Sequence, residues 1–258
     1  MQFISEQRLD DGVLERDFTL GETPGTLWTP DSAQPLPLIL MAHNNGMSRK
    51  QDRLVARARY TAARGYAVAS VDAAGCGDRP RPAAAEQARA EIRRAMRAGE
   101  PADDAFESLV GPLVTGAAPE WLATLDALLA LPGIDGPVGY SGWAALGIHL
   151  TATDPRIRAA GFFAGGYIPH AQREEARKVT VPLLLLLQWD DEGNPRERAL
   201  DLFDAFGSEQ KTLHANLGGH TGTPWFELED GDRFYGRHLK GRCSKGARPE
   251  VSATPSTP

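Results

Sequence analysis

The sequence predicts an α/β protein: a mostly parallel, doubly wound sheet with an antiparallel N-terminal meander. Three observations carry that prediction. LPLILMAH (36–43), YAVASVDAAG (66–75), IRAAGFFAGG (157–166) and VPLLLLLQW (181–189) are continuous apolar runs, as expected of strands buried on both faces. The intervals between them carry helical periodicity. The stretch before residue 30 instead alternates polar and apolar residues, with Gly and Asp-Gly punctuation.

Taken in order, QFISEQRL, VLERDFTL and GTLWTP form the meander at the sheet edge. The first buried strand is 36–43, and RKQDRLVARARYTAARG (49–65) is a helix ending at a glycine. The strand at 66–75 follows, then a charged helix at 85–99 and an amphipathic one, PEWLATLDALLALPG, at 119–133. PVGYSG is a strand and AALGIHLTA starts a helix. Strands at 157–166 and 181–189, a helix near 195–206, the strand KTLHANL (211–217) and a helix near 224–239 complete the series. Residues 76–118 and 167–180 break the alternation. They read as cap-like insertions over the carboxyl edge of the sheet, where open α/β sheets bind ligands. One domain therefore spans 1–240, and the polar tail 241–258 reads as disordered.

The bulk numbers narrow the partners. At 258 residues, 41% hydrophobic and 24% charged, the chain can bury a sizeable core. Net charge is −6, and no basic cluster interleaves with aromatics, which argues against nucleic acid or an anionic membrane. MQFISEQRLDDG lacks the basic start and apolar run of a signal peptide, and VTVPLLLLLQW is too short to span a bilayer. Two cysteines, Cys76 and Cys243, suggest no disulfide framework, so a reducing cytoplasm is expected. The wealth of Ala, Arg, Gly and Pro suggests a bacterial source. Oligomeric state is left open between monomer and homodimer.

The sharpest chemical signal lies towards the C-terminus. LLLLLQWDDEGNP places Asp190 and Asp191 at the exit of a buried strand, and HANLGGHTGTP places His220 in a glycine-rich loop after the next one. A carboxylate and a histidine at the carboxyl ends of neighbouring strands can meet above the sheet, where the carboxylate orients the imidazole. An Asp pair can equally cap the following helix, and a loop histidine can simply be solvated.

The order strand-elbow-helix, strand-Asp, strand-Gly-Gly-His resembles that of the α/β-hydrolase fold. LMAHNNG is similar to its oxyanion loop and VDAAGCGDRP to its D-x-x-G-x-G turn. The segment from Leu184 to His220 resembles dienelactone-hydrolase-like members, and the likeness covers about residues 30 to 240. It implies a Ser-His-Asp serine hydrolase or acyltransferase acting on an ester, lactone or thioester. Asp191 is favoured as the acid because Pro195 follows four residues later, with Asp190 in reserve.

The nucleophile is the difficulty. In GPVGYSGWAALGIHL, Ser141 would leave too short a strand behind Pro137, which cannot donate to a central ladder, and would put Trp143 in a tight turn. Position 144 gives a strand of normal length with Gly142 two residues earlier, and related sequences read GYxGxSxG. That position holds Ala144, which cannot attack. Either a parent sequence has serine there, which the retained Asp191 and His220 favour, or the chain has lost its nucleophile. The oxyanion hole is expected from the Ala145 amide and from Asn44 or Asn45, whose residue type tolerates left-handed backbone. Trp143, Trp189 and His43 are expected to line the pocket, with His170 within reach. No metal or other cofactor is expected, and the partner is a small-molecule acyl substrate. The alternatives are a lyase, cyclase or isomerase using His220 as base, and a substrate-binding protein with a dead site.

Overall fold

A computed structural model describes residues 1–44 and 46–241; Asn45 and the tail from 242, with Cys243, lie outside the described residues. Nine strands form one sheet: β1 (Gln2–Arg8), β2 (Leu14–Leu20), β3 (Thr23–Thr29), β4 (Leu36–Met41), β5 (Ala67–Val71), β6 (Ile134–Trp143), β7 (Ile157–Phe163), β8 (Leu183–Gln188) and β9 (Lys211–Asn216). Their spatial order is β1-β2-β3-β5-β4-β6-β7-β8-β9. Pairing is antiparallel from β1 through the β3–β5 contact and parallel from there on. The chain thus has the mixed sheet and flanking helices of the α/β-hydrolase fold.

The period-2 geometry of strands divides the core in two. On β4, Leu38 and Leu40 enter one apolar layer while Ile39 and Met41 enter the other. Helices α1 (Asp52–Ala62) and α7 (Phe226–Leu239) cover the Ile39 side. On the opposite side lie α3 (Asp103–Leu129), α4 (Ala144–Thr153) and α6 (Arg196–Ala205). The meander is an edge only in part. β1 is exposed throughout, whereas β3 pairs with β5 and buries Leu27 and Trp28, one in each layer.

The greatest departure from expectation is α3. The amphipathic pattern at 119–133 predicts a helix opening at Pro119, yet the helix begins 16 residues earlier and runs through both Pro112 and Pro119. Each interior proline costs a backbone hydrogen bond. Val110, Leu113, Val114, Ala117 and Ala118 are buried along this stretch, and their packing overrides the local signal. The expected insertion 76–118 therefore consists largely of α2 (Ala83–Ala98), which ends on the left-handed Gly99, and the first half of α3. The second insertion holds a short helix, α5 (His170–Ala176). Among the described residues, no helix is long and apolar enough to cross a membrane.

Candidate active site

The turn after β8 and the loop after β9 meet because their strands are neighbours. Asp191 Oδ2 lies 2.7 Å from His220 Nδ1. A carboxylate only accepts, so Nδ1 donates, and in the neutral imidazole Nε2 then carries the lone pair. The other Asp191 oxygen accepts from the Gly193 amide at 2.9 Å. The carboxylate is nearly sealed from solvent while the imidazole is about one-third exposed. Asp190 is used differently. It accepts from the amides of Gly218 and Gly219, both at 2.9 Å, which holds its carboxyl below the usual range. Gln188 Nε2 adds a bond to the Gly219 carbonyl. One aspartate thus fixes the imidazole, and the other fixes the backbone that carries it. Glycine is required here, since a Cβ on Gly222 would lie 2.0 Å from the Gly218 carbonyl oxygen.

The imidazole packs edge-on to the Phe163 ring at 5.6 Å, and Phe163 is the β7 partner of Trp143. His220 therefore stands one strand away from the junction of β6 and α4. At that junction the chain turns on Gly142, whose φ of +130° and whose position against β4 both exclude a side chain: a Cβ would lie 2.0 Å from the Ala42 carbonyl oxygen. The strain of this turn is thus borne by Gly142, and no non-glycine residue among those described has positive φ. Ala144 opens α4 and is buried, with Ala145 behind it. The first amides of a helix lack intrahelical acceptors, and the N-cap residue Trp143 makes no side-chain cap bond to α4, so the Ala145 N–H has no partner within the helix. Leu146 occupies the position where small residues usually sit. Gly147, one residue on, supplies the close approach instead: a Cβ there would meet Tyr140 at 2.1 Å.

Ser141 sits elsewhere. It is buried, and its hydroxyl accepts from Arg57 of α1 at 3.0 Å. Tyr235 of α7 bonds the neighbouring Tyr140 carbonyl at 2.6 Å. This serine belongs to a clasp on the α1/α7 side of the sheet.

His43 also departs from expectation. It is nearly inaccessible, with Nδ1 2.9 Å from the Asn44 carbonyl oxygen and Nε2 3.0 Å from Asp72 Oδ1. Asp72 further accepts from the Arg49 amide at 2.7 Å and pairs with the Arg49 guanidinium. Burial alone would raise the Asp72 carboxyl, but the His43 and Arg49 hydrogen bonds and the Arg49 charge bring it below its usual value. The D-x-x-G-x-G turn serves this network, since a Cβ on Gly77 would lie 2.3 Å from Asp72 Oδ2. His43 is therefore an anchor for the loop that carries Asn44, and does not line the pocket; Asn45 lies outside the described residues.

A cavity of about 170 Å³ opens beside the junction. Trp143 and Asn44 line it, together with Arg89 of α2, Gly166, and Phe106, Leu109, Val110 and Leu113, one face of α3. Tyr167 forms another wall of this open cleft, stacked on Phe106 at 5.6 Å and 13°. The Tyr167 hydroxyl donates to Glu107 at 2.9 Å; burial and that carboxylate push its pKa up to about 12. Trp189 lies apart, 42% exposed beneath the Arg196 guanidinium, because the β8 turn directs it to solvent. His170 is exposed at the start of α5. Burial pushes the Cys76 thiol up, opposite to what a nucleophile needs. The α3 face went unrecognised in the sequence as pocket lining, although its i, i+3, i+4, i+7 spacing is readable there.

One cluster with cation-ligand spacing exists among the described residues, His214, Glu227 and Asp230. Its groups bond one another or their neighbours: His214 Nδ1 to Glu227 at 2.8 Å, Asn216 Nδ2 to Glu227 at 2.7 Å, and Arg233 to Asp230.

Comparison with solved structures agrees with the fold. A PEG-bound cold-adapted esterase from an Arctic intertidal metagenomic library superposes with a TM-score of 0.72 at 28% identity, over 93% of this chain and 100% of that one. Acetyl xylan esterase 1 from Thermoanaerobacterium gives 0.61 at 13% identity, over 89% and 86% of the two chains. A putative dienelactone hydrolase from Klebsiella pneumoniae gives 0.59 at 13%, over 84% and 90%. No protein-family model and no curated protein sequence matches the chain.

Proposed function

We propose that the chain is built as an ester hydrolase whose nucleophile position is residue 144, occupied in this sequence by alanine. The observation that carries this reading is the 2.7 Å bond from His220 to the buried Asp191, with Nε2 uncommitted, one strand from the β6–α4 junction. The esterases among the similar structures support the choice of an ester bond. With serine at 144, Oγ attacks the acyl carbon as His220 Nε2 takes its proton, and Asp191 stabilises the imidazolium. The oxyanion accepts from the Ala145 amide and from the 43–46 loop. Collapse expels the alkoxide, which takes the proton from His220, and water then releases the acyl group with His220 again as base. No step calls on a cofactor. The setting is a bacterial cytoplasm, and the partner is a small acyl compound.

With alanine at 144 no acyl-enzyme forms, and the chain binds the ester without turning it over by this route. The test is Ala144→Ser. It is expected to hydrolyse 4-nitrophenyl acetate and to gain one fluorophosphonate adduct at residue 144, located by peptide mass spectrometry. A folded variant that takes no label and shows no turnover sinks the reading. The free Nε2 favours a second reading, in which His220 acts alone as a base for a lyase or isomerase. It requires turnover by the chain as it stands, lost in His220→Ala.

A further inference from the structure

The cavity beside the junction is shaped for one part of the ester, and its position says which part. During collapse His220 must reach the leaving oxygen, so the leaving group lies towards the imidazole. None of the residues lining the cavity comes from the Asp191 turn or the His220 loop. They come instead from α3, from Arg89 of α2, from Gly166 and Tyr167, and from Asn44 and Trp143, which stand beside the residue at 144. The group facing them is therefore the one bonded to the carbonyl carbon on the side away from the leaving group.

Size and chemistry limit that group further. The cavity measures about 170 Å³. An apolar cavity of about 150 Å³ holds one benzene molecule. The α3 face contributes Phe106, Leu109, Val110 and Leu113, and Trp143 and Tyr167 add flat walls. The far wall is fixed, because Tyr167 is stacked on Phe106 and tied to Glu107, which also accepts from the His170 amide at 3.2 Å. Mostly apolar walls with flat rings, and the Arg89 guanidinium among them, favour an aromatic occupant, whose face suits both, over a hydrated one.

We infer that the acyl part of the substrate is a single aromatic ring or a short chain of similar volume, and that α3 sets this limit through Leu109 and Leu113. The inference rests on the ester-hydrolase reading for its chemistry, and its test separates the two. The chain as it stands, with Ala144, is titrated with methyl benzoate and methyl octanoate by calorimetry or ligand-observed NMR. Saturable binding of the benzoate, weaker by about tenfold or more for the octanoate, is expected. Leu113→Trp, which fills the cavity, should abolish benzoate binding, and the milder Leu109→Phe should weaken it if the larger change impairs folding. No saturable benzoate binding, or equal binding of both esters, overturns the inference whatever happens to catalysis.

In Ala144→Ser, 4-nitrophenyl acetate, butyrate, benzoate and octanoate share one leaving group, so their kcat/KM values, each divided by its hydroxide rate, report the acyl side alone. The corrected value should fall about tenfold or more from butyrate to octanoate, and Leu113→Trp should lower the benzoate-to-acetate ratio by a similar factor. A rise through octanoate overturns the size limit and leaves the hydrolase reading standing. Saturable benzoate binding with no hydrolysis of any ester upholds the pocket and overturns the hydrolase reading.

Discussion

His43 and His220 each meet an aspartate at the carboxyl edge of the same sheet, at 3.0 and 2.7 Å, and both aspartates are almost fully buried. The pairs differ in everything else. His43 is 5% exposed and both its ring nitrogens are engaged, while Asp72 also serves Arg49 and Ser48. His220 is 36% exposed, and only Nδ1 is engaged. A histidine–carboxylate contact is therefore not in itself a sign of catalysis. A base needs a free lone pair and room for the reactant beside it. The Asp72 pair has neither, and its work is to hold the loop that carries Asn44.

Substitutions separate the two pairs, most strongly at His220. In the Ala144→Ser background, His220→Ala should cost about 10⁶-fold in kcat. Asp191→Asn, which no longer holds the imidazole in the tautomer that leaves Nε2 free, should cost about 10⁴-fold. Stopped-flow or steady-state ester assays measure both. Comparable losses from His43→Ala, in a variant shown to be folded, would erase the distinction.

The second pair should answer in stability. His43→Ala leaves a buried Asp72 oxygen short of a donor, at a cost of about 1–3 kcal/mol in urea unfolding. The same pair shapes the acid limb. Because the folded Asp72 pKa lies below its unfolded value, its stabilisation is complete above about pH 4, the unfolded carboxyl range. It is lost as pH falls through the depressed folded value. Unfolding free energies between neutral pH and pH 2 should fall less steeply in Asp72→Asn than in the parent.

The smallest effect concerns Ser141. Ser141→Ala removes one hydrogen bond to Arg57, about 1 kcal/mol, and in the Ala144→Ser background should leave kcat close to unchanged. A collapse of activity with intact stability would move the chemistry to Ser141 and undo the assignment of position 144.

Much of this architecture is legible in local pattern. The runs at 36–43, 157–166 and 181–189 contain β4, β7 and β8, because a strand covered on both faces has no reason to alternate. The exits of β8 and β9 carry Asp191 and His220 for the same reason that chain order is readable: parallel strands deliver their carboxyl ends to one edge. Gly142 likewise marks a turn that admits no Cβ, whereas β6 opens at Ile134, three residues before the Pro137 expected to start it, and takes up Pro137 at a register shift against β4.

Other features depend on residues far apart in the chain. Asp190 and Asp191 are adjacent and chemically identical, and only the path of the 218–222 loop assigns one to backbone and the other to imidazole. His43 stands in the motif of a binding loop, yet Asp72, 29 residues on, removes it from the pocket. The pocket wall pairs Glu107 with Tyr167 across 60 residues. Helix α3 persists through two prolines because its apolar face is covered by the rest of the core. Periodicity and residue type decide which segments become strands and which loops can carry chemistry, since both follow from burial along a single segment. Which nitrogen stays free, which aspartate orients it and how large an acyl group fits are decided by contacts between segments, and those exist only once the sheet has brought them together.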